Sequence, residues 1–292
     1  MSDKGTKITF GGRQARALCN MSHAARLDFI AEGLPIILQS ARGFWVAAEA
    51  IKAKPRETAV LAGFAEEEAA KALILIDLVR CPVRKASERI GKIVKKTLYD
   101  HLSRIIYANA QSWRPIDVAQ LQKYVDQERQ GHYLEGGMSE YIVPNWSLYL
   151  RESTMYADIE VYEDGVPQWN DPNRWSGSSM TMRPTALTLV EALEALGVLT
   201  REGLQATSDV WGTIDFVEDE GPAEARELTK QLGARLESEG LVTEDATDEH
   251  VRLFFDFWQL PMYSLEFGVI DVSLERLETQ REAAFWNEVG DF

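Results

Sequence analysis

"GFAEEEAAKALILIDLVR", residues 63–80, decides the fold. On a helical projection Val60, Phe64, Glu67, Lys71, Ile74 and Leu78 share one face, and Leu61, Ala65, Glu68, Ala72, Leu75 and Val79 share the adjoining one. Both faces are apolar, so the helix is expected to be enclosed by neighbours and at least one of its glutamates to be partly buried. A carboxylate in that position needs a partner, because an unpaired buried charge costs several kcal/mol. Lys71 stands four residues after Glu67, in the favourable order for a helical ion pair worth about 0.2–0.5 kcal/mol when exposed. That pair leaves Glu68 and Asp77 without partners, which the sequence offers on the next helix as Lys85, Arg89, Lys92 and Lys96.

Around this helix the punctuation is helical. Pro55 suits a first turn, and Cys81-Pro82 closes the element, since the residue before proline avoids helical geometry. Apolar residues recur at helical spacing from Asn20 to Lys52, after a cap at Asn20 or Ser22, with Pro35 as a site of kinking or division. A third helix is expected from Val83 or Ser87 to Gln111, and a fourth from Pro115 to Leu134, ending at Gly136-Gly137. Short connections make this a four- or five-helix bundle. After Gly137 the chain becomes rich in aromatic residues, Pro, Asp and Gly, and irregular structure is expected there. A hairpin suits "IEVYEDGVPQW", where Asp164-Gly165 is the turn pair. Helical patterning returns from about residue 183. The expected class is all-α, with a small irregular or hairpin β insertion, divided into a bundle at 1–137 and a connector plus C-terminal helical region at 138–292.

The chain has 292 residues, 45% of them hydrophobic and 26% charged, the composition of an ordinary globular protein. Its polar start and the lack of long apolar runs lead us to expect a cytoplasmic location and no membrane partner. Cys19 and Cys81, too few for a disulfide framework, are expected to be reduced and structural. The net charge of −15 disfavours indiscriminate binding to nucleic acid. The charge is uneven, however. Arg80 to Arg104 holds eight bases against two acids, a net +6, leaving −21 elsewhere, whereas 215–250 holds twelve acids against three bases. A local anionic ligand and a solvated basic helix face both account for the positive segment.

His101 lies on the third predicted helix with Val94, Leu98 and Ile105. A histidine there is commonly a core residue, but Lys95 and Lys96 precede it and Arg104 follows one turn later. Glu67, Glu68 and Lys71 lie on a helix expected to pack beside it. A histidine oriented by a carboxylate and flanked by cations is equipped for acid or base catalysis on a phosphodiester.

Three segments, "LAGFAEEEAAKALILIDLVRCP", "YDHLSRIIYA" and "LYLRESTMYADIEVYEDGVPQWNDP", resemble in that order the AbiV-type abortive infection family, a phage-defence branch of the HEPN superfamily. The resemblance spans residues 21–175. It implies an all-helical homodimer and, for active relatives, a metal-independent endoribonuclease acting on RNA, with a phage trigger protein or a defence partner. Such enzymes use an Arg and a His four to six residues apart. Here only Lys95 and Lys96 stand at that distance before His101, and lysine lacks the bidentate fork of arginine. Arg104 and Arg151 are the alternative phosphate ligands, and Trp146, Tyr149, Tyr156, Trp169 and Trp175 are available to stack bases or to form core. The catalytic candidates are thus His101, Arg104, Glu67, Glu68 and Lys71, with Lys95, Lys96 and Arg151 for substrate binding. There is no glycine-rich phosphate loop and no His or Cys cluster at metal spacing, so neither cofactor nor metal is expected. A non-catalytic helical interaction or nucleotide-sensing module is the competing reading.

Overall fold

The computed structural model describes residues 11–136, 141–161, 165–174, 182–258 and 260–289, with no account of side chains beyond 283. Among them are twelve α-helices and two small antiparallel two-stranded sheets, a mainly helical fold with a β insertion. No helix among the described residues is long and apolar enough to cross a membrane.

The opening stretch forms the centre. Helix α1 (Gly12–Asn20) leads into α2 (His23–Ala50), capped by the Ser22 hydroxyl, which accepts from the Ala25 amide at 3.2 Å. Pro35 neither breaks nor divides α2. It lies on the exposed side, where the carbonyl it deprives of a partner can be hydrated. Helix α3 (Pro55–Arg80) starts and stops where its two prolines dictate. Fourteen of its 26 residues are buried, and alanines 65, 69, 70 and 72 are wholly enclosed, so neighbouring helices approach closely on most of its sides.

The expected third helix is two. Helix α4 (Val83–Lys96) ends in a turn at 97–100, and α5 (His101–Ala110) restarts because the Asp100 carboxylate caps it, accepting from the Ser103 amide at 2.8 Å and the Ser103 hydroxyl at 2.7 Å. The fourth helix is shorter than its pattern: α6 runs Val118–Glu128, and β1 (His132–Glu135) pairs antiparallel with β2 (Tyr141–Pro144). Long-range backbone bonds make the difference. The Gly131 amide donates to the Ile270 carbonyl at 2.9 Å, the Asn145 backbone amide to the Gly131 carbonyl at 2.8 Å, and the Asn145 side-chain amide to the carbonyls of Glu128 (2.7 Å) and Gln130 (2.9 Å). Gly137, the expected terminus, lies outside the described residues.

The aromatic stretch is more regular than expected. Helix α7 (Trp146–Met155) is capped by Asn145, and the hairpin of β3 (Asp158–Val161) and β4 (Pro167–Asn170) follows, with Asp158 opposite Asn170. In its turn Gly165 has φ +70°, a conformation side chains resist, while Asp164 lies outside the described residues. Arg56, at the start of α3, donates to the last carbonyls of α7, Thr154 at 2.9 Å and Met155 at 3.0 Å, and so ties α7 onto α3.

Helices α8 (Thr185–Ala195), α9 (Arg201–Trp211), α10 (Pro222–Ser238) and α11 (Asp248–Phe257) follow, then α12 (Leu274–Val289). Helices α8 and α9 pack directly on α3, and the buried apolar residues from Ala15 to Phe267 form one cluster.

Inside this core Asp77 finds its partners, and they are not the bases of α4. Its carboxylate accepts from Arg80 at 2.8 Å, from the Tyr107 hydroxyl, and from the Met262 amide at 2.7 Å. The Arg80 guanidinium lies 3.7 Å from the Trp211 ring centroid and 4.4 Å from that of Trp258. Burial, and next the Asp77 charge, push the Tyr107 hydroxyl well above its usual range. The α4 bases turn to other elements, Arg89 to Asp215 (3.8 Å) and Lys92 to Glu266 (2.7 Å).

Candidate active site

Three helices converge on one carboxylate. Glu67, near the middle of α3, is 5% exposed. Its Oε2 lies 2.7 Å from His101 Nδ1 and 2.9 Å from Arg104 Nη2, both on the first turn of α5, and its Oε1 accepts from Arg151 Nε on α7 at 2.9 Å. Arg151 also donates to Glu152 at 2.6 Å. Burial would lower the Arg151 guanidinium, but its bonds to Glu67 and Glu152 hold it above its ordinary range. Arg104 is anchored from below by its Nε, which donates to the Asp100 carbonyl at 3.3 Å.

His101 Nδ1 sits between a carboxylate and a guanidinium, and its role follows the tautomer. Arg104 Nη2 and His101 Nδ1 are 2.7 Å apart, and both reach Glu67 Oε2. An ionised carboxylate only accepts, so a bare Nδ1 would face it lone pair to lone pair. Nδ1–H donating to Glu67 removes that repulsion, whereas in the other tautomer Nδ1 accepts from Arg104 Nη2, whose N–H points at it. Nε2 is left with no partner among the described residues, on a ring whose side chain is 51% exposed. The break at Asp100 is what brings His101 to a helix start and into the open.

Of the residues singled out from sequence, Glu67, His101, Arg104 and Arg151 come together. Glu68 and Lys71 do not join them; they form an ion pair with each other along α3. The pairing is therefore three residues apart, rather than the Glu67–Lys71 pair that spacing suggested. Arg104, whose side chain is 8% exposed, is turned inward onto Glu67 and His101. Lys95 and Lys96 are exposed at the end of α4 and take part in no ion pair among the described residues. Trp146, Tyr156 and Trp169 are exposed by 52, 51 and 75%, so these rings are surface and not core. Trp146 stacks on Tyr149, with centroids 5.6 Å apart. Trp175 lies outside the described residues.

The sequence reading passed over Glu66. It lines a cavity of about 300 Å³ between α3, α5 and α7, which Glu67 and Arg151 also line. Burial against apolar side chains, and next the neighbouring Glu67 charge, raise its carboxyl to about 7. The available signal was three consecutive carboxylates on a helix with little exposed surface, which cannot all turn to water.

Among the described residues no group of three or more His, Cys, Asp or Glu side chains is arranged to hold a metal ion. Cys19 and Cys81 are both free thiols, and burial pushes Cys81 up to about 12. Comparison with protein-family models, curated proteins and solved structures found no match.

Proposed function

We propose that the chain is a phage-defence endoribonuclease of the HEPN type, cleaving RNA without a metal and working as a symmetric homodimer. The observation that carries this reading is the 2.7 Å contact of Glu67 with His101 Nδ1 beneath an unpartnered, solvent-facing Nε2. With Nδ1 protonated toward Glu67, the ring is a general base at Nε2. Nε2 takes the proton of a ribose 2′-hydroxyl, the 2′-oxygen attacks phosphorus, the P–O5′ bond breaks with the 5′-oxygen taking a proton from water, and a 2′,3′-cyclic phosphate and a 5′-hydroxyl result. Arg151 and the unpaired Lys95 and Lys96 supply positive charge for the phosphate, and the exposed Trp146 and Trp169 offer stacking surfaces for single-stranded bases. Phe29, Ile36 and Val46, all more than half exposed on α2, provide apolar surface for the dimer.

Substitution of His101 tests the chemistry. His101→Ala reduces RNA cleavage by purified protein by about two to four orders of magnitude, the usual worth of a general acid or base. The melting temperature stays nearly unchanged, since the ring is half exposed. Full cleavage by the variant removes His101 from the mechanism. Light scattering on the wild-type chain at micromolar concentration is expected to give twice the 32.9 kDa chain mass; a monomer rejects the dimer.

A second reading, a non-catalytic interaction or nucleotide-sensing module, has one observation in its favour: Arg104 and Arg151 both bond Glu67, as residues of a purely structural clamp would. Absence of cleavage by wild-type protein, alone and with infected-cell extract, selects it.

A further inference from the structure

The cavity beside Glu67 has the makings of a base pocket. Its walls include Phe64, Ile105 and Leu150, which offer apolar surface to the faces of a flat ring, and its volume of about 300 Å³ suits a small ligand. Of its polar lining groups, Glu67 and Thr154 are already bonded, and Arg151 is bonded through Nε and Nη1. The Glu66 carboxylate, the Asn109 amide and the Ser147 hydroxyl have no side-chain hydrogen bond among the described residues, and neither does Arg151 Nη2. The half-buried Glu66 carboxylate is left free to accept from a ligand's donors. The cavity and the His101 site share Glu67, so a base held in the first places its own sugar and phosphate near the second.

Which base fits follows from donor patterns. An ionised carboxylate offers two acceptor oxygens side by side and no donor. Guanine presents two adjacent donors on its Watson–Crick edge, N1–H and the 2-amino group. Adenine and cytosine each set one donor beside a ring-nitrogen acceptor, and uracil sets one donor between two carbonyls. Only guanine satisfies both oxygens of Glu66 without opposing an acceptor to an acceptor, and its O6 can take a hydrogen bond from the Asn109 amide or Arg151 Nη2.

We infer that this cavity is a subsite for a guanine base of single-stranded RNA flanking the scissile phosphate, read by Glu66 on its Watson–Crick edge. The inference rests on the ribonuclease reading for its substrate, and it gives that enzyme a sequence preference.

Titration adds a dependence on pH. The charged groups facing Glu66 are Glu67 on its own helix and Arg151 on α7, whereas α5 contributes the uncharged Ile105 and Asn109. With the free carboxyl near 7, the ionised acceptor is nearly complete at pH 8 and about a tenth populated at pH 6. Guanine binding therefore weakens about tenfold between those values.

The test is equilibrium binding of fully 2′-O-methylated pentanucleotides, which cannot be cleaved, with guanine or adenine at the centre of a uridine run. Wild-type protein is expected to prefer the guanine strand about tenfold or more at pH 8 and to lose most of that preference at pH 6. Glu66→Gln abolishes the preference, because the amide replaces one acceptor with a donor. Gly63→Leu fills the cavity from a helical position where an added Cβ meets nothing within 4 Å, so it weakens the guanine strand with little effect on folding. Equal binding of both strands by the wild type, or a preference that survives Glu66→Gln, overturns the inference. GMP binding as tightly as the guanine strand overturns it in favour of a free nucleotide ligand. The two readings fail separately: selective binding by a protein that cleaves nothing sinks the ribonuclease alone, and cleavage indifferent to the base sinks only this subsite.

Discussion

Glu67→Gln lowers the melting temperature by roughly 6–20 °C, more than any other single change in the candidate site. The side chain is 6% exposed and compensates Arg104 and Arg151, whose side chains are 8 and 13% exposed. Glutamine keeps the size but removes the charge, and it turns one acceptor into a donor facing other donors. Breaking a buried ion pair by removing one partner costs about 3–5 kcal/mol, and each kcal/mol shifts the midpoint by about 2–4 °C in a chain of this size. Glu68→Gln is the control. Its pairing with Lys71 lies within one helix and is partly solvated, so its loss is worth about 0.5 kcal/mol or less. Calorimetry on both variants decides the matter; a Glu67→Gln midpoint within 2 °C of wild type would mean that this carboxylate does not hold α3, α5 and α7 together.

Asp77→Ala is expected to cost a further 3–5 kcal/mol at a separate place, measured by denaturant unfolding. The residue is 4% exposed, and its loss takes from the Arg80 guanidinium, 2% exposed between two tryptophans, its opposite charge, and from the Tyr107 hydroxyl and the Met262 amide their acceptor. The two charges are coupled. Arg80→Met added to Asp77→Ala therefore restores part of the lost stability, because no uncompensated charge is then left in the core. A double variant whose loss equals the sum of the two single losses would falsify the coupling. Together the two clusters place buried ion pairs near both ends of the second half of α3, one open toward solvent through His101 and one closed.

These clusters mark how far local pattern carries. Apolar residues on both faces of the 63–80 stretch were enough to make α3 an enclosed helix, and Pro55 and Pro82 bounded it, because helix propensity and the steric demands of proline act within a turn or two. The Asp164-Gly165 pair indicated the hairpin around β3 and β4 in the same local way. Residue chemistry singled out His101 and Arg104, and the surrounding segment brought in Arg151.

Tertiary structure decided the rest. Apolar spacing runs on from Val94 through Leu98 and Leu102, so periodicity alone hides the break; the Asp100 cap on Ser103 is a local signal that periodicity outweighed, and what tertiary packing adds is the Ser103 hydroxyl's bond to the Phe267 carbonyl at 3.3 Å. Helix α7 depends on Asn145 being held by the carbonyls of Glu128 and Gln130, and on Arg56 closing its far end. Helical spacing sets the three consecutive glutamates on different faces but does not name what each face meets. Glu67 meets two arginines and a histidine from α5 and α7, Glu68 pairs with Lys71 along α3 itself, and Glu66 faces the cavity left between α3, α5 and α7. The sequence by itself determined that the chain is helical and that the central helix carries charge into its interior. Which charge meets which partner is settled by helices brought together from dozens of residues away, since the strength of a buried electrostatic contact depends on distance in space and on the exclusion of water.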